Sequence, residues 1–209
     1  MFKFVSLLLD VMGTYIKALK SHEKKLKIKK NGITITLSGQ SGSGKSTIAD
    51  AVAKAFHLKH VNVGDIFRSI AKAKKIKLET LSETAGRKLD FEADKKTLEL
   101  AKKGKVLLNG RLTAWVAGDN ADVRIFIDCD INVRAKRVAI RDNKTVLQAK
   151  RDLINRDKSD ARRYKEVYGF NVADKRIYDL IIDNTKMSFS EAKKKPVQMV
   201  KQLLAGTIC

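Results

Sequence analysis

The sequence predicts an α/β fold: a five-stranded parallel sheet with helices on both faces. Five short, nearly continuous apolar runs alternate with longer segments whose apolar residues recur at helical spacing, which is typical of a sheet buried on both sides. A glycine-rich stretch joins the first of these strands to the first helix. With 209 residues, the chain is long enough for one domain with a sizeable core.

The first predicted strand, residues 33–37, leads directly into the stretch GQSGSGKST. This stretch has the Gly-x4-Gly-Lys-Ser spacing of a phosphate-binding loop. Glycines let backbone N–H groups turn inward around an anion, and the start of the following helix adds its free N–H groups and the positive end of its dipole. Lys45 is expected to contact the β- and γ-phosphates of ATP, and Ser46 to bind Mg²⁺. The predicted ATP site consists of Gly39, Gln40, Ser41, Gly42, Ser43, Gly44, Lys45, Ser46 and Thr47.

The remaining elements follow in regular alternation. The other predicted strands are residues 60–63, 106–109, 123–128 and the run YDLIIDN at 178–184. Predicted helices lie at 64 to about 75, within 78–104, at 131–143, within 145–169, and at the end of the chain, where Ser188 or Ser190 is the expected N-cap. Because ligands bind outside the carboxyl ends of the strands in such sheets, the segments that follow these strands should meet at one edge.

Arginines predict a second anion-binding region at this edge. Arg68 follows the second strand by one helical turn, and Arg111 comes directly after the third. A guanidinium group holds phosphate oxygens in a planar, two-pronged way, so the pair predicts a pocket for a second phosphate. An ordinary surface ion pair is the alternative for either residue. For Arg162, a solvated helix face is an equal alternative.

Two classes of phosphate-loop protein are excluded by the sequence. The stretch DNKTV lacks the final Asp of the Asn-Lys-x-Asp guanine-binding motif, which excludes a GTPase. The stretch LSGQ resembles a signature of ATP-binding cassettes, but it overlaps the phosphate-binding loop itself. A small phosphotransferase fits the short chain better.

Four blocks carry a family resemblance: GQSGSGKST, VNVGDIFRSIAK, ELAKKGKVLLNGRLTAW and RDKSDARRYKEVYG. Together they resemble archaeal-type cytidylate kinases, which are nucleoside monophosphate kinases, over about residues 32–190. The resemblance implies that ATP, with Mg²⁺ as cofactor, donates its γ-phosphoryl group to CMP or dCMP. It implies that Arg68 and Arg111 hold the acceptor phosphate. It also implies that the lid residues Arg156 and Arg163 close over the donor phosphates, organised by Asp160, so the implied catalytic residues are Lys45, Arg111, Arg156 and Arg163.

The resemblance extends to further parts of the acceptor site. It implies that Asp65 forms a wall of this site and that Asp90 and Asp94 are candidates to face the cytosine or the ribose. The implied mobile segments are an acceptor-binding segment at about 64–103 and a lid at about 156–171. Where bacterial cytidylate kinases carry an Asp after the arginine of GR, this chain has Leu112, so base and sugar must be recognised by other residues.

Asp128, at the end of the fourth strand, has two open interpretations. It contacts Mg²⁺ through water, or it caps the helix that begins near Ile131.

The composition leaves the class of partner open. A net charge of +21 and an isoelectric point near 10.0 favour either a polyanionic partner or a surface solvated by lysines. Other readings are an adenylate or uridylate kinase and an RNA-associated P-loop ATPase. Cys129 and Cys209 have no metal-binding spacing and make no disulfide framework, as expected in a reducing cytoplasm. The histidines form no obvious ligand set: His22, His57 and His60.

Residues 1–31 are predicted to be a separate extension before a domain at 32–209. Their apolar residues recur at helical spacing, but the run is interrupted by Asp10 and is too short to span a bilayer. The lysines that follow could hold this segment on an anionic membrane, as in a membrane-associated scaffold, or the segment packs on its own core. The small residues of a signal-peptide cleavage site are missing. We expect a cytoplasmic monomer that binds nucleotides and needs no nucleic acid.

Overall fold

The computed structural model describes residues 32–75, 83–169 and 171–206. The expectations for residues 1–31 and for Cys209 lie outside these ranges. The strands are β1 (Thr34–Gly39), β2 (Lys59–Asn62), β3 (Val106–Asn109), β4 (Val123–Asp128) and β5 (Leu180–Asp183). The α-helices are α1 (Lys45–Ala55), α2 (Val63–Ala73), α3 (Glu83–Lys103), α4 (Thr113–Ala117), α5 (Ile131–Asp142), α6 (Val146–Tyr168) and α7 (Phe189–Leu204).

The five strands form one parallel sheet in the order β2-β3-β1-β4-β5, which confirms the predicted fold class. From β1 the chain passes to β2, returns to β3, and then crosses to β4 on the other side of β1. Leu37 of β1 is level with Asn109 of β3, and Gly39 is level with Ile127 of β4. The loop after β1 therefore lies between the segments that follow β3 and β4, where the order of strands reverses and ligands bind.

Each face of the sheet has its own apolar cluster. On one face, α1 and α7 cover the central strands, and the fully buried side chains include Ile35, Ile48 and Val200. A second cluster joins α3, α4 and the end of α6, and it contains Leu112, Trp115 and several aromatic rings. Leu112 is buried here, so the position after Arg111 is part of the core.

Local hydrogen bonds set the helix starts and correct several predicted boundaries. The Asn62 side chain accepts a bond from the Gly64 amide at 3.0 Å, so β2 ends and α2 begins one residue earlier than predicted. Ser188, and not Ser190, caps α7, because its hydroxyl accepts from the Glu191 amide. The helix at Ile131 is capped by Asp130, which makes the capping interpretation of Asp128 wrong.

The segment predicted to hold one or two helices within 145–169 is a single 23-residue helix, α6. It begins in a capping box between Thr145 and Gln148 and ends at Gly169 in the left-handed conformation. None of the helices in the described parts of the chain is both long enough and apolar enough to cross a bilayer.

Candidate active site

The phosphate-binding loop, residues 39–44, has three of its carbonyl groups bound by side chains. Lys45 Nζ donates to the Gln40 oxygen at 2.6 Å, Arg134 Nη1 to the Ser41 oxygen at 3.3 Å, and Asn184 Nδ2 to the Ser43 oxygen at 2.8 Å. These three bonds hold the loop in one backbone conformation. The backbone N–H groups in the first turn of α1 can donate to phosphate oxygens. Within the loop, the Ser43 N–H donates to the Gln40 carbonyl at 3.3 Å.

Two glycines of this loop are required by close contacts. Gly44 has φ 87°, and a Cβ at this position would lie 2.4 Å from Asn184 Nδ2. A Cβ on Gly39 would lie 2.5 Å from the carbonyl oxygen of Ile127, its neighbour in the sheet. The loop can therefore pack this closely against the ends of β4 and β5 only because Gly39 and Gly44 have no side chains.

Lys45 lies in a strongly positive environment. Burial is the main cause that lowers the pKa of its ammonium to about 7, and the charges of Arg111, Arg134 and Arg156 lower it further. Asp157 acts in the opposite direction. A polyanion bound at the loop would offset this repulsion and favour the charged form of Lys45.

Ser46 presents a hydroxyl oxygen of the kind that Mg²⁺ binds, and the Asn109 side chain lies beside it. Ser46 is the second residue of α1, and its hydroxyl lies 3.5 Å from Asn109 Nδ2. Asn109 is buried at the end of β3, and its Oδ1 has no hydrogen-bond partner among the described residues. Mg²⁺ takes oxygen ligands and is usually held by one or two protein groups together with phosphates and water.

A cavity of about 340 Å³ opens between the phosphate-binding loop and α6. Gly39 and Gln40 form one wall, Arg111 and Asp160 another, and the rings of Phe126, Tyr164 and Tyr178 add apolar surface. A few convergent polar groups on an apolar lining are typical of a small-molecule site. A larger cavity of about 830 Å³ lies between α1 and α7, and Thr47 is the predicted site residue on its lining.

Arg111, which follows β3, contacts a network of charged side chains on α6. Its guanidinium forms an ion pair with Asp160, and Asp160 also accepts a hydrogen bond from Arg163 Nη2 at 3.1 Å. Burial is the main cause that lowers the pKa of Arg111 to about 10. The Arg163 guanidinium lies over the Tyr164 ring, 5.1 Å from its centroid. Two predicted catalytic arginines therefore share one carboxylate beside the cavity.

Arg156 and Arg162, also on α6, differ in their surroundings. Arg156 is exposed, but its charge is close enough to lower the pKa of both Lys45 and Arg111. The Arg162 side chain is 72% exposed, and its Nε lies 4.0 Å from the carboxylate of Glu166. The structure thus places Arg162 on a solvated face of the helix.

Arg68 and Asp65 pair with each other on α2, and both side chains are mostly exposed. Neither lines the 340 Å³ cavity. Their predicted contact with the acceptor phosphate stays a prediction.

Asp94 is buried in the second apolar cluster and accepts a hydrogen bond from the Tyr168 hydroxyl. Burial is the main cause that raises the pKa of its carboxyl group to about 7. Asp90, one turn earlier, lies 3.3 Å from Arg163 Nε, and burial also raises the pKa of its carboxyl group. Asp90 thus joins the network around Arg111, whereas Asp94 connects α3 to the end of α6.

The raised pKa of Asp94 predicts how the stability of the protein depends on pH. An unfolded Asp94 titrates near 3.8 and the folded one near 7, so the folded state loses stability as pH rises between these values and no more above about 7. Asp94→Asn keeps an acceptor for Tyr168 and removes the titration. Its melting temperature relative to wild type should therefore rise by several degrees from pH 4 to pH 7 and then stay level. Glu99→Gln, on the exposed side of the same helix, is the control. A melting difference that is constant from pH 4 to pH 8 would contradict this prediction.

Asp128 lies at the end of β4 and forms an ion pair with Lys175. The Lys175 ammonium also lies over the Phe126 ring, 5.1 Å from its centroid. Both charged groups line the 340 Å³ cavity, so Asp128 is placed where contact with a bound ligand is possible.

Sequence reasoning missed several side chains that shape the loop. Arg134 and Arg137 are three residues apart on α5, and both donate to loop carbonyls. Arg137 also donates to the Asn184 carbonyl at 3.0 Å. Their spacing on one face of a helix was the available signal. No sequence pattern singled out Asn184, which directly follows β5. The same holds for Asp157, which lies within the block RDKSDARRYKEVYG.

Comparisons with known proteins agree with this geometry. A sequence model for a family described as an AAA domain matches residues 38–164. Cytidylate kinases from Staphylothermus marinus and Pyrococcus horikoshii are each 40% identical to this chain, over 158 and 161 residues. These matches cover 75% and 76% of this chain and 89% and 83% of the two relatives.

Solved structures show the same fold. An uncharacterised protein from Eubacterium ventriosum aligns with a TM-score of 0.61 at 20% identity. Shikimate kinase from Bacteroides thetaiotaomicron aligns with a TM-score of 0.57 at 15% identity. Each alignment covers 83% of this chain and 98% of the other. At such identities these two structures bear on the fold alone.

The resemblance predicted from the four sequence blocks is confirmed by these relatives. Their identity to this chain extends over most of both sequences. The chain therefore belongs to the cytidylate kinase family of nucleoside monophosphate kinases.

Proposed function

We propose that this enzyme transfers the γ-phosphoryl group of ATP to CMP or dCMP, giving ADP and CDP or dCDP. The observation that carries the proposal is that Arg111 and the phosphate-binding loop line one cavity in a chain of this family. The loop suits a triphosphate, and the guanidinium of Arg111 suits the smaller phosphate of an acceptor.

The reaction needs no general base. The attacking atom is an oxygen of the acceptor phosphate, which is already ionised at neutral pH. Catalysis then depends on holding donor and acceptor in line and on neutralising the charge of the moving group. A buried ammonium and several guanidinium groups around one cleft are suited to both tasks.

Each charged residue has a proposed role. Lys45 contacts the β- and γ-phosphates of ATP, and Arg111 holds the acceptor phosphate. Arg163 and Arg156 neutralise the transferred group, and Asp160 orients Arg111 and Arg163.

Asp65 and Arg68, which pair on α2, belong to the acceptor side in this proposal, and Asp94 supports that side from the core.

Ser46, with Asn109 beside it, would hold Mg²⁺. When bound, this ion neutralises phosphate charge and fixes the phosphate geometry. The protein contributes the Ser46 hydroxyl at the start of α1, and Asn109 Nδ2 lies 3.5 Å from this hydroxyl. Exclusion of water from the cleft by α6 would protect ATP from hydrolysis.

Residues 32–209 form the catalytic domain in this proposal, with the acceptor-binding segment at about 64–103 and the lid at about 156–171. The matched family model, which spans residues 38–164, lies within this domain. Residues 1–31 are a separate extension whose contact with an anionic membrane is a weaker proposal.

A coupled assay tests the function. Purified protein is given ATP, Mg²⁺ and, in turn, CMP, dCMP, UMP and AMP, and formation of the nucleoside diphosphate is measured. We expect the highest kcat/KM with CMP or dCMP. Faster turnover of AMP or UMP would identify another acceptor. ATP hydrolysis that is stimulated by RNA, without CDP formation from CMP, would favour the RNA-associated ATPase and overturn the proposal.

A further inference from the structure

Asp157 connects three elements that are far apart in the sequence. It lies on α6, and its Oδ2 accepts a hydrogen bond from Gln40 Nε2 in the phosphate-binding loop at 3.0 Å. The same oxygen accepts from Arg134 Nη2 on α5 at 2.9 Å. Arg134 in turn donates to the Ser41 carbonyl, so the loop is bound both directly by Asp157 and through Arg134.

The charges make this contact strong. Arg134 is 4% exposed, and the Asp157 side chain is 22% exposed. A buried guanidinium is costly unless a carboxylate compensates it, and hydrogen bonds between charged partners are about twice as strong as neutral ones. Arg134 donates from Nη1 and Nη2, while its Nε has no hydrogen-bond partner in the parts of the chain that the structure describes. Asp157 is therefore the group that compensates the charge of the buried Arg134 guanidinium, close to Lys45.

We infer that Asp157 is a positioning residue that fastens α6 to the phosphate-binding loop before nucleotide binds. The inference rests on the proposed kinase function, because α6 carries Arg156, Asp160 and Arg163. Through this contact the arginines of α6 are kept over the loop, and the loop is kept in its anion-binding shape. Part of the ordering that ATP would otherwise have to impose is then already present.

The test compares Asp157→Asn with wild type in the full-length protein. The asparagine has nearly the same shape, but it removes the charge that compensates Arg134. Trypsin is a direct probe of α6, because Lys158, Arg162 and Lys165 are cleavage sites within it. Asp152→Asn is the matched control: it removes a carboxylate from the same helix, where Asp152 pairs with Lys144 at 2.7 Å.

For Asp157→Asn without nucleotide, we expect cleavage within α6 to be about fivefold faster, and protection to return with saturating ATP and Mg²⁺. The KM for ATP should rise about tenfold while kcat changes by less than about threefold, because the loss falls on ordering before binding. Asp157→Glu, which restores the carboxylate, should recover part of both effects. Asp152→Asn should match wild type in both measurements.

Unchanged cleavage and an unchanged KM in Asp157→Asn would overturn the inference. A fall in kcat with normal cleavage would also overturn it, since Asp157 would then act on the reacting groups. The melting temperature will show whether Asp157→Asn is stable enough for these measurements. If it is not, Gln40→Ala removes the direct bond between the loop and Asp157. Equal cleavage of α6 in Gln40→Ala and wild type would then overturn the inference. The cleavage assay does not depend on the acceptor, so a failure of CMP phosphorylation in wild type is distinguished from a failure of this contact.

Discussion

Lys45→Ala is expected to lower kcat for CMP phosphorylation by at least about a hundredfold, the usual effect of removing one preorganised electrostatic group. Lys45 is buried and held by the Gln40 carbonyl, so its ammonium is fixed where the phosphates of ATP would lie. Alanine removes a positive charge whose stabilising interaction strengthens as negative charge develops on the transferred group. The loss should therefore be larger in kcat than in the affinity for ATP, which the backbone N–H groups of the loop also support.

The measurements are steady-state kinetics with CMP and calorimetric binding of ATP. Lys54→Ala is the control, because Lys54 lies on the same helix and is exposed at its last turn. The control should keep wild-type kcat. A Lys45→Ala enzyme with near-normal turnover would reject the assigned role of the loop.

Arg111→Ala is expected to lower kcat/KM for CMP by at least about a hundredfold, with a much smaller change in the KM for ATP. Arg111 is largely buried, and its ion pair with Asp160 fixes the direction of its guanidinium. Its removal leaves the acceptor phosphate without its proposed two-pronged partner and leaves Asp160 with Arg163 as its remaining ion pair.

Arg111→Lys separates charge from shape. Lysine restores the positive charge but not the planar pair of donors, so an intermediate rate is expected. Arg162→Ala should retain wild-type kinetics, since Arg162 lies on the solvated face of α6. If Arg111→Ala keeps the wild-type kcat/KM for CMP, Arg111 is not the acceptor-phosphate ligand.

On the acceptor side, the sequence predicted where residues lie along the chain but not which groups their side chains contact. The Asp94 carboxylate accepts a hydrogen bond from Tyr168, 74 residues away, which the sequence did not indicate, and its contact with the cytosine or the ribose stays a prediction. Arg68 and Arg111 looked equivalent because each follows a strand, yet Arg111 lines the cavity and Arg68 pairs with Asp65 at the surface. Position after a strand predicts the edge of the sheet, but it does not predict the direction of a long side chain.

The sequence alone determined the features that depend on neighbouring residues. The spacing of glycines, Lys45 and Ser46 defines a phosphate-binding loop, since its backbone conformation and the following helix are both local. The alternation of apolar runs with helical periodicity determined the parallel α/β fold, and four short blocks determined the family.

Only the tertiary structure decided which distant side chains complete the loop. Asn184 bonds to Ser43 across 141 positions of sequence, and Gln40 bonds to Asp157 across 117. These contacts exist because β1 lies at the centre of the sheet, where the order of strands brings β5, α5 and α6 to the same edge. Their strength comes from burial, which makes an unpaired charge or amide costly, and burial is set by how the elements pack together.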